Sequence, residues 1–154
     1  MTVIEAKLAT LGYQLTVAPE PIGNYLPATR SGNIMWMAGV GSRRADGSRI
    51  TGKLGTELTV EEGYEAARWC ALNLLARMKV ELGDLDKVTR ILKVVGMVNS
   101  APDFGNQARV VDGASDLFVE LYGDPGRHSR SAPGMGALPG GIAVIVDCVI
   151  EVAD

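Results

Sequence analysis

The stretch "RSAPGMGALPGGIAVIVDCVIEV", residues 130–152, joins a loop rich in glycine and proline to an alternating apolar run. Its first twelve residues hold one arginine, Arg130, with four glycines and two prolines. Such clusters mark loops where the backbone takes conformations that other residues resist, or where something comes close to the main chain. In the run that follows, alternate residues are apolar and share one face, which predicts a buried strand: these are Val144, Val146, Cys148, Ile150 and Val152.

The clearest helical pattern lies at residues 59–83, "TVEEGYEAARWCALNLLARMKVELG". Thr59 and Glu62 form a capping-box pattern, and Gly83 can end the helix. The predicted apolar face consists of Ala67, Ala71, Leu74, Leu75, Met78 and Leu82.

The other segments predict further helices and strands. We expect a short helix at 2–12 that begins with a capping-box pattern of Thr2 and Glu5, strands at 13–17, 33–40, 87–100 and 142–152, a long loop at 19–32, a polar hairpin-like excursion at 41–55, and a second long helix at 107–122. The predicted apolar face of this second long helix consists of Val111, Ala114, Phe118 and Leu121. This order predicts an α+β fold, a mixed sheet with both long helices on one face. The second face of the last strand has no helix left to cover it, which favours an oligomer.

Composition narrows the class of protein. A chain of 154 residues is about one domain long, so we expect a single domain over residues 1–154. The net charge is −3 and the basic residues are scattered, which argues against nucleic acid as a partner. Cys70 and Cys148 sit far apart in apolar patterns, as buried reduced thiols of a cytoplasmic protein do. No signal peptide or membrane-spanning run is apparent.

Several kinds of catalytic site lack their motifs. There is one histidine, His128, and no HExxH or His/Cys cluster, so we expect no metal. Neither a GxxxxGK[ST] loop nor a strand-linked GxGxxG is present, so we expect no nucleotide cofactor. The GxSxG elbow of serine hydrolases is also absent.

The polar residues left for chemistry lie on the glycine- and proline-rich loops. Arg130 can hold a carboxylate in a bidentate fork, the backbone of residues 132–136 can bind an adjacent ligand group, and Tyr25 can supply a hydroxyl. Each also has a purely structural interpretation: a salt bridge for Arg130, packing for Tyr25, turn geometry for the glycines. Arg127 and His128 either shape a cleft or lie on its rim, and we favour the rim.

Two stretches together resemble the RidA/YjgF family, also labelled endoribonuclease L-PSP. "PIGNYLPATRSGNIMWMAG", residues 21–39, is similar to the family's N-terminal signature, and residues 130–152 to its C-terminal one. The resemblance implies a chorismate-mutase-like fold that assembles as a homotrimer with ligand sites in the clefts between subunits. Better-known members hydrolyse reactive 2-imino acids to 2-keto acids and ammonia, without metal or cofactor.

The resemblance also implies roles for individual residues. Arg130 would grip the substrate carboxylate, the backbone near Ala132 and Gly134 would contact the imine end, and Tyr25 would close the pocket. Three substrate-binding positions differ from the family pattern. Ile145 replaces the glutamate that positions the attacking water, Ala38 replaces a serine, and Asp112 aligns with a helix asparagine. Isoleucine can neither orient nor deprotonate water.

Three functions therefore compete. An imine deaminase would rely on Arg130 and backbone polarisation of an already reactive imine. A binding module would hold small carboxylates or 2-keto acids and turn nothing over. A ribonuclease would need a basic groove and acid-base residues that the sequence does not show. We rank the deaminase first and the binding module close behind it.

Overall fold

The computed structural model describes residues 2–154 as one six-stranded sheet with helices packed against it. The helices are α1 (Val3–Thr10), α2 (Val60–Leu82) and α3 (Gln107–Tyr122). The strands are β1 (Ala28–Ser31), β2 (Ile34–Gly41), β3 (Val88–Asn99), β4 (Ser129–Ser131), β5 (Gly134–Met135) and β6 (Val144–Val152).

The sheet is mixed, as the element order predicts. Its strand order is β1-β2-β6-β3-β4, and β5 pairs with β3 beyond the end of β4. β3 runs parallel to β4 and β5, whereas the other neighbours are antiparallel. A bulge interrupts β2, where Ala38 and Gly39 together lie opposite Asp147 of β6.

The core lies between the sheet and the helices. The alternating residues Val144 to Val152 of β6 are all buried, as are the predicted apolar faces of α2 and α3. Both predicted capping boxes form, Thr2 with Glu5 and Thr59 with Glu62, and Gly83 ends α2 in the left-handed conformation. These features of the sequence analysis are confirmed.

A close contact between α2 and α3 sets their separation. A Cβ atom at Gly113 of α3 would lie 1.9 Å from the carbonyl oxygen of Tyr64 in α2. Only a residue without a side chain allows the two backbones to approach this closely. Gly113 therefore fixes where α3 lies over the sheet.

The prediction of a strand at residues 13–17 is wrong. This segment is extended, but no strand pairs with it, and its polar side chains contact α2 instead. The Thr16 hydroxyl donates to Asn73 Oδ1 at 2.8 Å, and the Tyr13 hydroxyl accepts from Arg68. Of the alternating apolar residues, Tyr13 and Leu15 pack partly buried against the core, whereas Val17 is 85% exposed, so the alternation does not mark a sheet edge here.

The prediction of a loop at residues 19–32 extends too far towards the C-terminus. Its last residues form β1, which turns at Gly32 and pairs with β2 from Ala28 to Ser31. The short strands β4 and β5 had no sequence signal, because two or three residues cannot display a period.

The face of the sheet opposite the helices is uncovered. Trp36 on β2 is 46% exposed, and Ile145 and Val149 on β6 are partly exposed on this face. Within residues 2–154 no helix is both long and apolar enough to cross a membrane.

Replacing Gly113 by alanine tests the contact between the helices. In an open helix this change stabilises by up to about 1 kcal/mol. Here the new methyl group would meet the Tyr64 carbonyl, so we expect Gly113→Ala to lower the free energy of unfolding in urea by about 3 kcal/mol.

Gly105→Ala is the matched control, because a Cβ at Gly105 meets nothing within 4 Å. We expect it to change stability by less than about 0.5 kcal/mol. Equal stability of the two variants would contradict the close approach of α2 and α3.

Candidate functional site

Arg130 lies on β4, at the edge of the sheet beside α3. It pairs with Val94 of β3, whose side chain is fully buried in the core on the helix side of the sheet. Because paired residues of neighbouring strands share a face, the Arg130 side chain also points to the helix side.

Three groups of α3 hold the Arg130 guanidinium. Nη1 donates to Asp112 Oδ1 at 2.8 Å and to Ser115 Oγ at 3.1 Å, and Nη2 donates to the Ala108 carbonyl at 3.2 Å. A guanidinium has five N–H groups, so these contacts, counted over residues 2–154, leave two of them for a ligand. The structure thus joins two of the predicted site residues, Arg130 and Asp112, in an ion pair.

The loop after Arg130 is held against the end of β3. The Pro133 carbonyl accepts from Val98 N–H at 3.1 Å. Gly134 is itself exposed, but a Cβ there would lie 2.6 Å from Ser100 Oγ and 2.7 Å from Gln107 Nε2. Ala132 packs partly buried against the core. A side chain at position 134 would displace these two polar groups, so the loop backbone lies close against the end of β3 and the start of α3.

Lys53 ties the tip of this loop to the sheet. Its ammonium donates to Asn99 Oδ1 at 2.9 Å and to the Gly136 carbonyl. Asn99 is 3% exposed, and its Nδ2 donates to the Ile142 carbonyl at 3.2 Å. Further along the loop, Gly140 and Gly141 both take positive φ angles, 65° and 71°, which glycine adopts without strain.

Tyr25, Ala38 and Ile145 form a second group on the other half of the sheet. Tyr25 and Ala38 line a cleft of about 150 Å³ beneath the segment 19–27. Ile145 lies next to it, because its Cγ2 is 3.0 Å from the position of a Cβ on Gly39. Tyr25 is half exposed, and its hydroxyl accepts from Ile22 N–H at 3.4 Å.

The two groups do not meet within one chain. Ile145 on β6 pairs with Met97 of β3, whereas Arg130 on β4 pairs with Val94. Arg130 and Ile145 are therefore two strands apart, about 10 Å, and offset by three residues along β3, about another 10 Å. An odd offset also places their side chains on opposite faces of the sheet.

A buried arginine lies in the cleft near Tyr25. The Arg77 side chain of α2 is 6% exposed and forms ion pairs with Glu20 at 3.4 Å and Glu81 at 3.3 Å. Since Glu20 belongs to the segment that covers the cleft, the first ion pair fastens this segment to α2. Two carboxylates already compensate the charge of Arg77, so it is a poor place for a further anion.

Asp147 is the acid nearest to Ile145 on the uncovered face. Its side chain is partly buried beside Val95 of β3, and burial raises the pKa of its carboxyl group. It lies two residues from Ile145 along β6, on the same face.

His128 lies on the helix side, next to Arg130. Its Nε2 is 2.8 Å from Ser115 Oγ and its Nδ1 is 2.7 Å from the Gly126 carbonyl. Burial lowers the pKa of His128 below its ordinary value of 6.5, and the Arg130 charge lowers it further, against an opposing effect of the Gly126 hydrogen bond. The histidine is therefore part of the Arg130 cluster and not an isolated rim residue.

The cysteines and acids do not assemble a metal centre in the part of the chain that is described. Among residues 2–154, no three side chains of His, Cys, Asp or Glu come together where they could hold a metal ion. Cys70 and Cys148 are free and buried, and burial raises the pKa of both thiols.

Sequence reasoning missed three residues of this region: Ser115, Lys53 and Asn99. Each acts through a contact with a residue far away in the chain. Lys53 and Gly136, for example, are 83 positions apart. The only local signal was the polar pair Asn99-Ser100 directly after an apolar strand, which is unusual for buried positions.

The fold and the Arg130 loop define the class of protein. A mixed sheet with the two long helices on one face and a glycine-rich loop before the last strand is the architecture of chorismate-mutase-like α+β proteins. The family model described as "YjgF/chorismate_mutase-like, putative endoribonuclease" matches residues 5–151. The chain belongs to this YjgF/chorismate-mutase-like family.

Three similar proteins each match most of the chain. Protein TCP17 of Trypanosoma cruzi is 43% identical over 149 residues, covering 96% of this chain and 93% of its own length. The crystal structure of Agrobacterium tumefaciens Atu1372, a protein of unknown function, is 40% identical with a TM-score of 0.91, covering 98% of this chain and 93% of that one. RidA from an Antarctic Psychrobacter species shares the fold, with a TM-score of 0.57 at 21% identity over 88% of this chain and 94% of its own.

The position of His128 leads to a pH prediction. Because the chain has one histidine, its ring gives an unambiguous NMR signal, and we expect a titration midpoint below 6.5. The unfolded chain then binds a proton at higher pH than the folded chain, so the folded state loses stability as pH falls below 6.5.

Comparing the urea unfolding of the wild type with that of His128→Gln isolates the contribution of His128 to the pH dependence of stability. The stability difference in favour of the wild type should be largest above pH 6.5 and shrink as pH falls towards the midpoint of the folded protein. A His128 titration midpoint above 6.5 would contradict the buried, neutral histidine. So would a stability difference between wild type and His128→Gln that grows as pH falls.

Proposed function

We propose that this protein hydrolyses reactive 2-imino acids to 2-keto acids and ammonia, with Arg130 as the anchor for the substrate carboxylate. The observation that carries this proposal is the state of Arg130. Its side chain is 22% exposed and held rigidly by α3, with two N–H groups still unused within the described chain. A guanidinium with two free N–H groups can bind a carboxylate in a bidentate fork.

The backbone next to Arg130 supports a role beyond simple ion pairing. The exposed glycines Gly134 and Gly136 leave the main chain of this loop accessible to a ligand, and Lys53 fixes its far end. Backbone dipoles held in place can polarise the C=N bond of an imine without reorganising.

We further propose that the site is completed by a second subunit of a homotrimer. Tyr25, Ala38 and Ile145 lie about 10 Å or more from Arg130 within one chain. The uncovered face with Trp36 and Ile145 is the surface that assembly would bury. Such a cleft would place Arg130 of one subunit opposite Tyr25 of another, as the family resemblance implies.

A non-catalytic module for small carboxylates is the second candidate, and two observations favour it. Asp112 already compensates part of the Arg130 charge at 2.8 Å. Ile145 offers no acceptor for water at the position where the family pattern has an acid. Binding without turnover would need only the anchor and the loop.

We do not propose cleavage of RNA, although the family description includes an endoribonuclease. The chain carries a net charge of −3, and its fifteen basic residues are scattered. A protein that binds a phosphate backbone normally presents a basic stripe.

Substrate turnover tests the proposal. Imines made in situ by an amino acid oxidase should decay faster with the purified wild type than without it. Arg130→Lys keeps the charge but loses the planar fork, so we expect kcat/KM to fall about tenfold or more. Arg127→Lys, at a 72% exposed arginine three residues before Arg130, is the matched control and should leave the rate unchanged.

Calorimetry with pyruvate on the same three proteins separates the two candidates. Wild-type binding without any acceleration of imine decay would support the binding module and exclude the deaminase. Equal pyruvate affinity of wild type and Arg130→Lys would remove Arg130 from the site altogether.

The proposed assembly can be tested by sedimentation. We expect the wild type to sediment at three times the chain mass, and Trp36→Glu to shift it towards the monomer because it places a charge on the uncovered face. Val80→Glu is the control, since Val80 is also exposed, at 62%, but lies on α2. A monomeric wild type would contradict the trimer, and so would a Trp36→Glu variant as associated as the control.

A further inference from the structure

A continuous chain of hydrogen bonds links His128 to the substrate anchor. It runs from the Gly126 carbonyl to His128, to the Ser115 hydroxyl, to Arg130 and to Asp112, with contacts of 2.7, 2.8, 3.1 and 2.8 Å. None of these contacts depends on the cleft near Tyr25 or on Ile145.

The chemistry of the end groups fixes where the protons lie. A carbonyl oxygen only accepts, so His128 Nδ1 carries the proton that points to Gly126. A guanidinium only donates, so Ser115 Oγ accepts from Arg130. The Ser115 proton is then free to point at His128 Nε2, which is the unprotonated nitrogen of the neutral ring.

His128 therefore has the properties of a base at neutral pH. Its burial keeps the ring neutral, because the pKa of His128 lies below 6.5. Its orientation is fixed from two sides, by the Gly126 carbonyl and by an edge contact with Phe118 at 6.1 Å between ring centroids. A hydroxyl bonded to a base that a third group orients is the arrangement of an activated hydroxyl.

We propose that Ser115 and His128 accept the proton of the water that attacks an imine bound at Arg130. This inference rests on the proposed function and supplies the acceptor that Ile145 cannot provide. Ser115 is the catalytic residue, since its oxygen would contact the water, and His128 acts through it. Ser115 bonds to Nη1 of the guanidinium whose Nε and Nη2 carry the unused N–H groups, so a water bonded to Ser115 would lie next to the group that holds the substrate.

The proton transfers balance for a protonated imine. The water oxygen bonds to the imine carbon, the C=N electron pair moves to nitrogen, and the water proton passes through Ser115 to His128. His128 then returns this proton to the nitrogen, and the C–N bond breaks as the C=O bond forms. The hydroxyl proton released in that step passes through Ser115 and His128 to the departing ammonia, which leaves as ammonium.

The charges around His128 decide how the activity depends on pH. Arg130 and Asp112 face it through Ser115, and Arg127 and Asp124 form an exposed ion pair next to it in the chain. His128 changes its charge in the range just below pH 6.5. Imine hydrolysis should therefore decline as pH falls through the His128 midpoint.

The pH profile of kcat/KM for imine hydrolysis tests this inference. The wild type should lose activity below the His128 midpoint measured by NMR. Ser115→Ala should lower kcat/KM about a hundredfold above that pH and abolish the acid decline, because the route to the base is broken. Ser115→Thr keeps a hydroxyl and should keep the decline.

Ser129→Ala is the matched control, since its exposed hydroxyl donates only to the Leu92 carbonyl at 3.1 Å among the described residues. Ser129→Ala should retain the wild-type kcat/KM and its dependence on pH. His128→Gln should resemble Ser115→Ala, and unchanged pyruvate affinity of either variant would show that the anchor is intact.

Two results would overturn the inference. A Ser115→Ala variant with the wild-type rate and profile would remove Ser115 and His128 from the reaction while leaving the proposed function standing. A reduced rate that keeps the acid decline would show that Ser115 has only a structural role. A wild type without imine hydrolysis would instead remove the deaminase, and the proton pair with it.

Discussion

The contact of Gly113 with the Tyr64 carbonyl is the constraint on which the site depends. It allows α3 to lie against the backbone of α2, which fixes α3 relative to the sheet. One side of α3 then faces β4, and Asp112, Ser115 and the Ala108 carbonyl reach Arg130 from successive turns. A shift of α3 by the width of one methyl group would disturb all three hydrogen bonds together.

This arrangement gives the anchor an unusual charge balance. Arg130 is partly exposed and held by α3, but Asp112 offsets some of its charge, so a carboxylate bound as we propose would lie beside an acid. The same arrangement brings the single histidine next to Arg130, with burial lowering its pKa. In the proposed reaction, the proton acceptor that Ile145 cannot provide therefore lies on the helix side of the sheet.

Sequence patterns predicted the parts of the fold that rest on local chemistry. Capping boxes at Thr2 and Thr59, the stop at Gly83 and the alternating run of β6 all depend on residues a few positions apart. The strand expected at 13–17 failed because this segment contacts α2 and pairs with no strand. In the candidate site, the loop composition predicts Arg130, whereas Ser115 and Lys53 depend on contacts between distant segments that a single sequence does not reveal.

The central claim is that one ligand site uses Arg130 of one chain together with Tyr25 and Ile145 of another. A crystal structure of the protein with a bound 2-keto acid tests it most directly. We predict the carboxylate on the two unused N–H groups of Arg130, with Tyr25 and Ile145 of a neighbouring subunit closing the cleft. A ligand bound within one chain in the cleft beneath Tyr25, beside Arg77 and away from Arg130, would contradict the account.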